Sequence, residues 1–163
     1  MVDIERLEPT SAAFAHQLLR TQPWLRAFAR VEDLPGRDLG FLVLSVPSPS
    51  DRPGVLTVDT GESGRISVSW GRFSAEFDAP ANSGRSTQLD AALDLVEDVL
   101  SDRVALYVLT REGRWAESGT VYDERDEQAL CRKLAPGVRI ELFSWEGTRD
   151  HVLTGDDLAR EQA

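Results

Sequence analysis

From Arg65 to Phe77 the chain reads RISVSWGRFSAEF. Its apolar residues fall on every second position: Ile66, Val68 and Trp70, then, beyond Gly71 and Arg72, Phe73, Ala75 and Phe77. A period of two sorts side chains onto opposite faces of an extended chain, so the segment predicts two half-buried strands in a meander. The same texture recurs along the sequence. FLVLSV (41–46) is apolar and β-branched, and VLTVDT (55–60) leads through Gly61 to Gly64 into the alternating segment. RVALYVLT (103–110) and WAESGTVY (115–122) flank a turn at Arg111 to Arg114, and VRIELFSW (138–145) and RDHVLT (149–154) flank Glu146-Gly147-Thr148. Each pair predicts a hairpin.

Helical spacing appears in four places. Thr10 or Ser11 can cap a first helix to about Arg20, burying Ala12, Ala15, Leu18 and Leu19. Pro23 interrupts it, and with Thr21 as cap a second short helix carries Trp24, Leu25, Phe28 and Ala29 to about Arg30. Residues 123–134, DERDEQALCRKL, predict a helix ended by Pro136-Gly137. Leu34-Pro35-Gly36 predicts a turn, and 47–54, with three prolines, a loop. Strands in hairpins with occasional helices predict an α+β fold. Its mainly antiparallel sheet would be built from hairpins and packed by the N-terminal helices and one acidic amphipathic helix. At 163 residues the chain is long enough to bury a core without disulfides or metals, and we expect one domain over 1–155 with a polar tail at 156–163.

The acidic helix is Thr87 to Asp102, in which Leu89, Ala92, Leu93, Val96 and Leu100 repeat on one side and Asp90, Asp94, Glu97, Asp98 and Asp102 on the other. Thr87 and Asp90 have the spacing of a capping box. Carboxylates one turn apart repel, and those near the C-terminus oppose the helix dipole. A basic partner would relieve that repulsion. The overall charge of −10 is unevenly spread: residues 1–85 carry 9 Arg against 11 acids, and residues 86–163 carry 9 Arg and Lys against 17. Such a surface repels phosphate backbones and anionic lipid and attracts basic proteins, so neither nucleic acid nor membrane is an expected partner. The apolar runs are strand-length, too short to span a bilayer, and the N-terminus has no export signal, so the expected compartment is the cytoplasm.

The search for chemistry is negative. His16 and His151 are the only histidines and Cys131 the only cysteine, none at ligand spacing, so no metal or other cofactor is expected. Cys131 reads as a small buried apolar residue. There is no nucleophile elbow, and Ser83-Gly84-Arg85-Ser86, placed where a phosphate loop would sit, lacks the lysine and first glycine of that motif. Paired carboxylates carry no specificity among 28 acids. Trp24, Trp70, Trp115 and Trp145 lie in apolar patterns that suit packing; Trp115 and Trp145 on solvent-facing hairpins would instead anchor a partner.

Residues 55–122, with their glycine-turned hairpin, ISVSWGRFSAEFD, an acidic helix and VALYVLTREGRWAESGTVY, resemble small bacterial proteins found near polymorphic-toxin genes, some of them immunity proteins. The resemblance implies a non-enzymatic cytoplasmic inhibitor. Ser74 and Glu76 stand where such proteins often have histidines, so no histidine-dependent role is carried over. The leading expectation is an acidic protein-binding module that inhibits a basic toxin, docking through Asp90, Asp94, Glu97, Asp98 and Asp102 with Trp115 as an aromatic anchor. Two other readings stay open: a ligand-binding domain or enzyme using unidentified carboxylates, and a structural subunit of a bacterial assembly.

Overall fold

The computed structural model describes residues 2–33, 35–49, 54–61, 64–78 and 87–155. The expected loop at 79–86, with its Ser83 to Ser86 segment, and the expected tail at 156–163 lie outside them, as do Leu34 of the first turn and the centre of the 47–54 loop. The residues group into two compact units: Met1–Ser48 with Arg52–Glu97, and Pro49–Asp51 with Asp98–Ala163. The architecture is α+β with antiparallel sheets.

In the first unit, β1 (Ala29–Asp33), β2 (Gly40–Pro47), β3 (Val55–Asp59), β4 (Arg65–Trp70) and β5 (Phe73–Asp78) form one sheet in the order β1-β2-β3-β4-β5. All neighbours are antiparallel. The register aligns Leu44, Val58, Val68 and Ala75 in one row and Val46, Leu56, Trp70 and Phe73 in the next, so the period-two residues share a face. All but Ala75 are buried. Helix α1 (Pro9–Thr21) contacts this sheet at β2 and buries Phe14, Ala15, Leu18 and Leu19, with Phe14 in place of the expected Ala12. Each large side chain buried this way contributes about 1.5–3 kcal/mol.

Two expectations at the N-terminus need correction. Neither Thr10 nor Ser11 caps α1: the helix starts earlier, with Pro9 in its first turn, and both residues are buried inside it. Ser11 Oγ instead lies 2.6 Å from Thr60 Oγ1, which also accepts the Leu42 N–H at 2.9 Å. The second helix is only a 3-10 turn, Pro23–Ala27, that buries Leu25; Ala29 and Arg30 already belong to β1, paired with Leu44 and Val43. Edge pairing with an apolar strand overrides a weak helical pattern there.

In the second unit, β6 (Ala105–Arg111), β7 (Arg114–Val121), β8 (Val138–Ser144) and β9 (His151–Thr154) form an antiparallel sheet in the order β7-β6-β8-β9. Glu112 and Gly113, with φ of 49° and 75°, form the left-handed two-residue turn that fits the twist of the β6–β7 hairpin. The register shifts between Leu109 and Thr110, a bulge that leaves Ala116 unpaired. Helix α3 (Glu124–Cys131) is capped by Asp123, whose carboxylate accepts the N–H groups of Arg125 and Asp126 at 2.8 and 3.1 Å. It sets Leu130 on a core of Ala105, Leu109, Val121, Val138, Ile140 and Leu142.

Candidate binding surface

The acidic helix α2 spans Thr87–Leu100. Ala92, Leu93, Leu95, Val96 and Val99 are buried, which adds Leu95 and Val99 to the expected stripe and leaves Leu89 and Leu100 half-buried. Asp90 and Asp94 are exposed and make no hydrogen bond or ion pair with a described residue. Glu97 is half-buried and accepts a 2.7 Å hydrogen bond from Thr21 Oγ1 at the end of α1. These carboxylates line a shallow groove of about 210 Å³ with Gln17, Arg20, Thr21 and Leu93. Arg20 is the cation of this groove, and its guanidinium forms no ion pair with a described residue. All seven residues belong to the first unit.

Asp98, Asp102 and Trp115 belong to the second unit, and the two carboxylates have partners within it. Asp98 pairs with Arg103 at 2.7 Å. Asp102 lies beyond the helix with φ of 56°. The Arg103 N–H reaches the Asp98 carbonyl at 2.9 Å and the Asp102 N–H reaches the Val99 carbonyl at 3.1 Å. This bond pair ends a helix through a left-handed residue, a place usually taken by glycine and tolerated by aspartate. The Asp102 carboxylate then accepts the Glu146 N–H at 2.9 Å, the Ser144 hydroxyl at 3.3 Å and the Thr148 hydroxyl. Partial burial works against its ionisation, but the bonds from Thr148, Glu146 and Ser144 prevail and hold its carboxyl below the usual carboxylate value. The same loop is braced by Asp150, which accepts the Ser144 N–H at 2.7 Å.

Trp115 is 56% exposed on β7, opposite Thr110. Trp145 is buried, as its apolar pattern suits, and is not available as an anchor. Trp70 is buried as well, and Trp24 is exposed with its ring edge-on to Phe28. Cys131 is only half-buried and lines a recess of about 310 Å³ with Glu124, Glu127 and Gln128.

Arg20 and Thr21 are groove residues that sequence reasoning did not single out. Thr21 carried a capping signal, and its hydroxyl serves Glu97 instead. A second cluster was also not foreseen. Tyr107 Oη donates to Glu117 Oε1 at 2.5 Å, Lys133 Nζ bonds the same oxygen, and the ammonium lies 5.9 Å from the Tyr107 ring centroid. Lys133, then Tyr107, hold the Glu117 carboxyl below its usual value, while burial and the adjacent Glu117 push the Tyr107 hydroxyl up to about 12. Among the described residues no three His, Cys, Asp or Glu side chains converge as a metal site would require, and no helix is long and apolar enough to cross a membrane.

No family model, no curated protein and no solved structure matches the chain.

Proposed function

We propose that the protein is an acidic protein-binding module of the immunity type, working in the cytoplasm without catalysis, and that a basic toxin docks on the face formed by α1 and α2. In this reading the N-terminal helix and the acidic helix both pack the sheet and turn their outer sides to the partner. The observation that carries it is the groove in which Asp90 and Asp94 form no ion pair with a described residue, although Arg20 lines it too, and Glu97 is oriented by Thr21. Carboxylates left unpaired on a folded surface speed encounter with a cationic partner and strengthen the complex when its lysines or arginines reach them. Asp98 and Asp102 stay outside the contact set, because their oxygens are already engaged.

The test uses the chain as bait at low and at high salt, followed by binding kinetics with the basic protein retained. Reversing charge with Asp90→Lys and Asp94→Lys should lower the on-rate and weaken the complex about tenfold or more at low salt. Unchanged affinity in that double variant would refute the proposed face.

A further inference from the structure

We propose that α3 is fastened to its sheet by a proton-dependent clasp, in which the doubly protonated ring of His151 ties β9 to Glu127 of the helix. The geometry at the ring carries this. His151 Nε2 lies 2.9 Å from Glu127 Oε1, and Nδ1 lies 3.1 Å from the carbonyl oxygen of Arg149. Both partners are acceptors. A neutral imidazole carries one N–H and can satisfy only one of them; the imidazolium donates to both.

The charged groups beside His151 in sequence and across the strand pair are engaged elsewhere. On β8 the residue opposite His151 is Leu142, and Glu141 beside it pairs with Arg139. The Arg149 guanidinium donates to the carbonyls of Arg103, Val121 and Tyr122, and the Asp150 carboxylate accepts the Ser144 N–H. Glu127 is thus the carboxylate that meets the ring.

The clasp matters because α3 has few other attachments. Of its eight residues only Leu130 is buried. Just beyond its end, Lys133 pairs with Glu117 on β7, at the opposite edge of the sheet from β9. The helix is therefore held at both flanks by charge. Glu117, held below its usual value by Lys133 and Tyr107, holds its side through neutral pH, whereas the histidine side depends on the second ring proton. Raising the pH loosens one flank, and the apolar face under Leu130 becomes easier to open.

Amide hydrogen exchange, corrected for intrinsic rates, tests this on the native protein and Glu127→Gln at about pH 5.5 and about pH 8.5, with β6 as the reference for global opening. Both side chains of the pair are about a third exposed, so solvent screens it and the effect is modest. In the native protein, protection of α3 relative to β6 should fall roughly threefold to tenfold from the lower to the higher pH. In Glu127→Gln that difference should vanish. Cys131, the only thiol, offers a second readout on the same helix: its alkylation, scaled to the unfolded chain at each pH, should quicken in parallel. A pH-independent ratio in the native protein, equal changes in α3 and β6, or an undiminished pH response in Glu127→Gln would each overturn the clasp.

Discussion

Asp102 offers the sharpest test of how this chain spends its acidic residues. It combines a left-handed backbone with a carboxylate that accepts from Glu146, Ser144 and Thr148. Asp102→Ala removes three acceptor contacts and forces a Cβ-bearing residue without local compensation to hold φ of 56°. The contacts are to a charged group but half in solvent, so we assign them about 2 kcal/mol together, and the backbone about 1 kcal/mol more. Asp102→Gly removes the contacts and relieves the backbone, for a loss of about 2 kcal/mol. Asp102→Asn keeps an acceptor oxygen and tolerates the left-handed region, for a loss of about 1 kcal/mol. Urea unfolding followed by tryptophan fluorescence reads this series directly, since Trp145 is buried in the braced loop. With a slope of about 1–3 kcal/mol per molar urea, the alanine variant should shift the midpoint by about 1 M or more. The order Asn, Gly, Ala in increasing damage is the expected result. An alanine variant as stable as the native protein would refute the reasoning and return Asp102 to the pool of carboxylates available to a partner.

Other outcomes follow from the same structure. Thr60→Val should cost about 1–3 kcal/mol in chemical denaturation, because the buried Ser11 hydroxyl and Leu42 N–H lose their shared oxygen, while adding Ser11→Ala should recover part of the loss. Gly40→Ala should destabilise by more than 2 kcal/mol or fail to fold, since a Cβ there would meet the Glu32 carbonyl oxygen at 2.2 Å; a soluble variant with native thermal midpoint would contradict the tight β1–β2 approach. Ultraviolet titration at alkaline pH should find Tyr107 ionising at about 12 and moving down in Glu117→Gln. Because that folded value is raised, its stabilisation is complete below the unfolded tyrosine range and is lost as pH rises through about 12. Asp102 and Glu117 have the opposite sign. Their folded values are depressed, so their contribution is present above the usual carboxylate range and disappears as pH falls through the folded values, which acid unfolding of Asp102→Asn and Glu117→Gln should reveal as a reduced pH dependence.

The strands were legible because burial on one face imposes a period of two that survives in the sequence: Ile66, Val68 and Trp70 are buried where the alternation put them. The hairpins followed from glycines placed where the backbone turns left-handed, as at Gly113. The antiparallel strands, however, form two separate sheets, and strand periodicity carries no information on which hairpins join. Helix ends were less legible. The α2 helix stops at Leu100 through an aspartate that sequence reasoning read as one more residue of the stripe. Ser11 looked like a cap because a hydroxyl near a helix start serves equally well as a buried contact, and only the position of Thr60 distinguishes the two. The candidate face was legible in part. Asp90 and Asp94 are exposed as their one-turn spacing on the polar side required, but whether an acid has a partner depends on residues far away in sequence, such as Thr21 for Glu97 and Thr148 for Asp102.

The strand order of the first sheet, β1-β2-β3-β4-β5, follows the order of synthesis without a crossover. Every strand pairs with the one made just before it, so each hairpin can close while the next segment is still emerging from the ribosome, and no edge has to wait for a distant partner. The second sheet is different. Strand β8 inserts beside β6, on the far side from β7, only after α3 has been made. Until then the open side of β6 is an unpaired apolar edge, exposed to mispairing while the chain is still being made.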